Sequence, residues 1–170
     1  MVPRRLEWGL LQHYLESGIH CFYQHTNVDF HRLPGMQLAF IKTESNFRAR
    51  AKTPRKFFLG IIPNGRISSA YGYAQALNGT WDWYKKDTGN RSASRTNFND
   101  ATDFIGWYVT QTNKKLKISK SNVYRQYLAY HQGHAGYASG RYKSSEAIMA
   151  VAKRTASTAR LFDRQLKNCN

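Results

Sequence analysis

Read for the spacing of apolar and polar positions, the chain is a succession of helices separated by turn-rich segments. Residues 4–16 set Leu6, Leu10, Leu11, Tyr14 and Leu15 along a helical stripe that ends at Gly18. Residues 27–35 read as a loop. After the Pro34-Gly35 break, residues 36–45 place Met36, Ala39, Phe40 and Thr43 on one side of a second helix. Residues 48–69 lose this period, being basic and punctuated by Pro54, Gly60, Pro63-Asn64-Gly65 and Ser68-Ser69. The apolar run at 57–62 inside that segment fits either a short strand or a buried loop. Helical spacing returns at 74–86, with Asn78-Gly79 as a point of interruption. It returns again at 101–116, where Asp100 is the expected N-cap and Phe104, Ile105, Tyr108 and Val109 form the apolar face. Ser121 is the expected cap of a helix over 122–131, with Gly133 beyond its end. Ser144 or Ser145 would cap 146–167, whose core face is Ile148, Val151, Ala152, Ala159, Phe162 and Leu166. Five or more helices with little strand pattern predict a mostly α fold. The 170 residues suit one core, with no internal repeat and no boundary inside it.

Charge narrows the classes of partner. Twenty-six Lys and Arg against ten Asp and Glu give a net charge of +16, a field that concentrates polyanions at the surface. Nucleic acid and the anionic bacterial wall both qualify. The basic residues are scattered over 48–56, 114–120 and the last helix, with no zinc-finger set and no aromatic RNP pattern, which disfavours specific nucleic-acid recognition. No apolar run approaches the length of a membrane span. The N-terminus lacks the apolar core of a leader, because the stretch 6–15 is broken by Glu7, Gln12 and His13. Either Met1 replaces a leader that has been removed, or the protein is made in the cytoplasm and released to the wall by another route. Cys21 and Cys169 stand near the two ends. Bonded, they would close a very long loop, worth about 4–5 kcal/mol in the chain-entropy model. Unbonded, they are two thiols. The six histidines make no compact set at ligand spacing, so no metal and no cofactor is expected.

The candidate chemistry begins with Glu44 in Ile41-Lys42-Thr43-Glu44-Ser45-Asn46-Phe47. The next acid along the chain is Asp82, so Glu44 is isolated among bases and apolar groups. At a helix end on the surface it would be an ordinary carboxylate. In an apolar pocket its pKa would rise and it would serve as a general acid near neutral pH. Two further segments bear on the choice: Gly72-Tyr73-Ala74-Gln75 after the irregular stretch, and Ala129-Tyr130-His131-Gln132-Gly133 at a helix end.

Glu44-Ser45-Asn46-Phe47, then Gly72-Tyr73-Ala74-Gln75, then Ala129-Tyr130-His131-Gln132-Gly133 resemble, in that order, the three motifs of the soluble lytic transglycosylase domain. Those motifs read Glu-Ser-x-Phe, Gly-Leu-Met-Gln and Ala-Tyr-Asn-x-Gly. The resemblance runs over about residues 36–142 and implies a goose-type lysozyme fold with a substrate cleft. Residues 36–170 would form the catalytic domain, and residues 1–35 a helical extension packed on it. The implied substrate is the peptidoglycan glycan strand. Glu44 would protonate the oxygen between N-acetylmuramic acid (MurNAc) and N-acetylglucosamine (GlcNAc). It would then deprotonate the muramic C6 hydroxyl, closing a 1,6-anhydro ring without a second carboxylate.

The same resemblance gives roles to the residues around it. Ser45 would hydrogen-bond substrate, Gln75 would meet an acetamido group or the Glu44 pocket, and Tyr130 would set its hydroxyl near Glu44. Gly72 would admit a sugar close to the backbone. Each residue also has an ordinary structural use: a helix-end hydroxyl, an exposed amide, a core aromatic. Tyr73, Trp81 and Trp83 would either stack on sugars or pack inward. Two departures matter. Tyr73-Ala74 stands where the family has Leu-Met, in the floor of the cleft. His131 stands where it has Asn, adding a group that titrates near pH 6.5. A monomer acting outside the cytoplasm is implied. The rival readings are a lysozyme-type muramidase that admits water to the same bond, a non-catalytic binder of peptidoglycan or another polyanion, and a helical nucleic-acid-binding protein.

Overall fold

Helix α1 (Pro34–Ser45) explains where the core lies. Gly35 through Ile41 are all buried, apolar residues and Gln37 alike, so the helix is enclosed on every side rather than along one stripe. The one-sided face expected for it is therefore too narrow: Leu38 and Ile41 are as buried as Ala39 and Phe40. The computed structural model describes residues 33–58, 62–66 and 68–167. The expected helix at 4–16, the packing of residues 1–35 on the catalytic domain, Cys21 and Cys169 fall outside these residues, as does all but the end of the 27–35 loop.

Five helices carry the described fold. After α1 come a two-stranded antiparallel hairpin, β1 (Arg55–Phe58) and β2 (Ile62–Arg66), then α2 (Asn78–Thr88), α3 (Phe98–Leu116), α4 (Val123–Ala138), a 3-10 turn (Arg141–Ser144) and α5 (Glu146–Lys167). The hairpin pairs Phe58 with Ile62 and Arg55 with Arg66, so Phe57, Phe58 and Ile62 of the apolar run lie in strands. Helix α1 packs along α5 and against α3, while α4 closes onto both α3 and α5. Gly35 permits the closest of these contacts. A Cβ there would lie 2.2 Å from Asp163 Oδ1, and the Gly35 amide donates to that carboxylate at 3.0 Å. Asp163 thus supplies, from α5, an acceptor at the N-terminus of α1, where free amides and the helix dipole favour a negative charge.

An aromatic cluster fills the space between α1, α2, α3 and α4. Phe104 lies within 5.1–6.3 Å of the rings of Trp81, Tyr84, Trp107, Tyr108 and Tyr130. Trp81 is buried there and faces no solvent.

Three helix starts differ from expectation, two of them because a neighbouring Asn side chain makes the cap. Residues 74–77 are a turn with a bridge between Tyr71 and Ala76, and the helix begins at Asn78, so Asn78-Gly79 opens α2 instead of interrupting it. Asn97, not Asp100, caps α3 by accepting from the Asp100 amide, while the Asp100 carboxylate accepts from the Ser94 amide. Asn122, not Ser121, caps α4 by accepting from the Arg125 amide. Helix α4 also runs past Gly133, which takes a non-helical conformation (φ 71°, ψ 161°) and kinks it. Ser145 caps α5, accepting from the Ile148 amide at 3.4 Å.

Candidate active site

Glu44 is the penultimate residue of α1, where the most enclosed helix of the fold runs out. Its position follows from the sequence just beyond it. Asn46 (φ 49°) is a left-handed C-cap whose amide donates to Lys42 O, and Phe47 (φ 59°) repeats the left-handed conformation. That backbone is disfavoured for a bulky residue, costing on the order of 1–3 kcal/mol, and persists only where packing holds it. The Phe47 ring lies 6.4 Å from that of buried Phe162 on α5. The turn therefore stops α1 abruptly and leaves the Glu44 side chain at the edge of the core.

The Glu44 carboxyl is held by one hydrogen bond, donated by the Tyr127 hydroxyl to Oε1 at 2.9 Å. Tyr127 is buried in α4, its ring edge-on to Phe40 at 5.2 Å, so the hydroxyl is fixed before any substrate arrives. Burial raises the Glu44 pKa from 4.5 to about 7, and the Tyr127 hydrogen bond opposes that rise without cancelling it. The residue as a whole is partly, not fully, buried.

Asp87, Asp100, Asp103 and Asp163 form their hydrogen bonds away from Glu44. Asp87 accepts from Trp107 and Gln111, Asp100 from Ser94, Asp103 from Tyr84, and Asp163 from Gly35. None of them figures in the Glu44 shift.

The structure distributes the other candidate residues less simply. Tyr130 lies near enough for the Glu44 charge to push its own pKa up, after the larger effect of burial, but its hydroxyl donates to Ala74 O. It ties α4 to the second motif, and Tyr127, one helical turn earlier, is the tyrosine that binds Glu44. Ser45 is buried and its hydroxyl donates to Ile41 O at 3.0 Å, so it closes the helix end and is not presented to a ligand. Gly72 (φ 80°) is required by protein, not by sugar: a Cβ would lie 2.1 Å from Arg95 O. Gln75, itself left-handed (φ 48°), spends its amide nitrogen on Gly72 O at 2.8 Å and Ala51 O at 3.0 Å, locking the turn. Tyr73 packs edge-on to Phe98 at 5.4 Å. His131 is exposed, its ring 6.3 Å from that of Tyr127, and partial desolvation nonetheless holds its pKa below the ordinary value.

Two residues that organise this region carry no sequence signal of their own. Tyr127 is distinguished only by standing a helical turn before the motif tyrosine, which puts both on neighbouring faces of α4. Arg95 lies in an irregular stretch, yet its guanidinium donates to Ser69 O and Ala76 O and its carbonyl accepts from the Tyr73 amide, bracketing the second motif. Among the described residues there is no group of three or more His, Cys, Asp or Glu that would hold a metal ion.

This is a helical domain of lysozyme type with one partly buried acid at a helix end. A family model described as the transglycosylase SLT domain matches residues 17–169. The chain belongs to that family, whose domains cleave peptidoglycan glycan strands. The match begins well ahead of residue 36, where the motif resemblance starts. No curated protein and no solved structure gives a significant match. No helix among the described residues is long and apolar enough to cross a membrane.

Proposed function

We propose that this protein is a lytic transglycosylase that cleaves the MurNAc-β-1,4-GlcNAc bond of peptidoglycan, using Glu44 as its one acid and base and leaving 1,6-anhydroMurNAc ends. One observation carries the reading. Glu44 combines a pKa of about 7, set by burial, with a hydrogen bond from Tyr127 and, among the described residues, no carboxylate among its perturbing groups.

A carboxyl with that pKa is protonated in a large fraction of molecules near neutral pH, so it can give its proton to the glycosidic oxygen. The bond from muramic C1 to that oxygen then breaks, the GlcNAc product leaves with the proton, and positive charge develops on C1 and the ring oxygen. The Glu44 carboxylate so formed lies beside this charge and stabilises it in a poorly solvated site. The C6 hydroxyl of the same sugar attacks C1 and passes its proton to Glu44, which regenerates the acid. No water is consumed, and the nucleophile is held by its own ring. Tyr127 is a positioning residue: its hydroxyl fixes one carboxyl oxygen and leaves the other for the substrate.

The test is digestion of purified peptidoglycan by the protein and by Glu44→Gln, with mass analysis of the soluble products. Anhydro-muropeptides from the wild type and none from the variant are expected. Products one water heavier would make the enzyme a muramidase. Products that persist in Glu44→Gln would remove Glu44 from the mechanism.

A further inference from the structure

The turn that carries the second motif is gripped from outside by one residue. Arg95 stands in the connection between α2 and α3. A single nitrogen of its guanidinium, Nη1, donates to Ser69 O at 3.2 Å and to Ala76 O at 2.9 Å, the two ends of the turn. Its carbonyl accepts from the Tyr73 amide at 3.1 Å, in the middle of the turn, and fills the space that a Cβ on residue 72 would need. The guanidinium also lies over the Tyr71 ring, 5.4 Å from its centroid. A turn built on two left-handed residues, Gly72 and Gln75, is thus held at both ends and at its centre.

Held in this way, the turn presents Ala74 O to the Tyr130 hydroxyl. That hydroxyl is cut off from water, burial being the main reason its pKa is pushed far up, so losing its acceptor would leave a buried donor unpaired. The helix that carries Tyr130 is therefore tied to where the turn places this carbonyl. The Tyr130 ring packs edge-on to Phe40 at 5.2 Å, and the Tyr127 ring packs edge-on to the same Phe40 at 5.2 Å. Phe40 is fully buried in α1, one helical turn before Glu44. Tyr127 and Tyr130 share a face of α4, so a displacement of one carries the other with it. Tyr127 in turn donates to Glu44 Oε1 at 2.9 Å. A run of direct contacts joins Arg95 to the acid, although the Arg95 charge is not among the groups that perturb Glu44.

We propose that Arg95 is a positioning residue for Glu44: by clasping the 69–76 turn it fixes Ala74 O, and through Tyr130 and Phe40 it sets the Tyr127 hydroxyl on the Glu44 carboxyl. Its part in catalysis rests on the reading of Glu44 as the acid. Arg95 acts through hydrogen bonds to backbone carbonyls and not through its field. Because one nitrogen makes both bonds, a lysine ammonium, with three donors, can replace it in kind.

The test follows the Glu44 carboxyl carbon by NMR titration of the full chain labelled with isotopic glutamate, and kcat and KM on peptidoglycan alongside. In Arg95→Ala, Glu44 titrates about half a pH unit higher than in the wild type, because the bond that lowers its pKa is loosened. Its kcat falls about tenfold with KM within about twofold. Arg95→Lys restores the wild-type titration. Added to Tyr127→Phe, Arg95→Ala leaves Glu44 titrating where Tyr127→Phe alone puts it, since both act through the same bond. A rise that persists in the Tyr127→Phe background would come from the lost cation acting directly and would overturn the proposal. So would an unmoved Glu44 in an Arg95→Ala protein that merely melts earlier, which would make the clasp structural only, or a lysine variant no better than alanine. Should Arg95→Ala not fold, Tyr130→Phe keeps the ring and removes the bond to Ala74 O; Glu44 should then titrate higher in the same way, and an unmoved value rejects the relay. If the wild type cleaves peptidoglycan while these titrations stay put, only the role of Arg95 fails. If it cleaves nothing, the proposed function fails, and the titrations still decide whether Arg95 sets the bond from Tyr127 to Glu44.

Discussion

Replacing Glu44 by glutamine should make the protein more stable above neutral pH while removing its activity. The reasoning starts from the rise of the Glu44 pKa from 4.5 to about 7, which comes from burial. An acid whose pKa is higher folded than unfolded binds more protons in the folded state between those two values. Stability is therefore greatest below about 4.5, falls as pH rises through the window up to about 7, and levels off above it. Each pH unit in that window is worth about 1.4 kcal/mol, so the full effect would be about 3 kcal/mol; partial solvent contact brings it to roughly 2–3. Glutamine keeps the shape and an oxygen for the Tyr127 hydroxyl but never ionises. Its advantage over the wild type should be small at about pH 5 and grow to about 2–3 kcal/mol at about pH 8. In a domain of this size that difference corresponds to roughly 5–10 °C in melting temperature. Urea unfolding of both proteins at the two pH values reads it directly. A gap that stays the same at both would refute the claim that burial holds this carboxyl neutral. With it would go the physical basis for Glu44 as an acid.

Further outcomes follow from the same geometry. Activity should fall as pH rises through about 7, because the proton-donating form of Glu44 is lost there; a pH–rate profile flat to about 9 would contradict this. Tyr127→Phe should move that alkaline limb to higher pH, since the hydroxyl bond lowers the Glu44 pKa, and should cut kcat about tenfold with little change in KM. Gly72→Ala should cost more than about 2 kcal/mol in urea unfolding, from a positive φ and a Cβ placed 2.1 Å from Arg95 O; a loss under about 0.5 kcal/mol would mean that the turn yields easily. Cleavage of whole sacculi should weaken steeply with added salt while cleavage of short soluble strands does not, if the +16 charge acts by concentrating the protein on an anionic wall.

Helices α3 and α5 were legible because each buries an apolar face of helical period, and the face on 146–167 is the clearer: Ile148, Ala152, Ala159 and Phe162 are all in the core. Helix starts were less legible. Asn97 and Asn122 each stand three residues before the amide they cap, but a rival Asp or Ser one to three residues away offers an equally good cap by composition. Only the packed backbone decides between them. The strands at 55–58 and 62–66 hid inside a basic, turn-rich segment whose apolar run was too short to fix its period. The extension of α4 beyond Gly133 could not be read either, because glycine after a helical stripe signals termination equally well.

At the site, several of the bonds expected of the motif residues are made instead to the protein itself. Glu44 stood out because it is chemically isolated along the chain; in the fold, burial raises its pKa and the Tyr127 hydrogen bond opposes the rise. The residues around it were harder, because a motif records which positions matter without saying to what they bond. Ser45, Gly72 and Gln75 all spend their polar groups or their freedom of φ on the protein itself. Tyr130 does likewise, reaching across to Ala74 O. Together these bonds fasten the end of α1, the 69–76 turn and α4 to one another, so that Tyr127 meets Glu44 at 2.9 Å with nothing left to adjust. Such fastening is what the proposed reaction, with Glu44 as both acid and base, would demand: the acid must already stand where the proton is to be delivered.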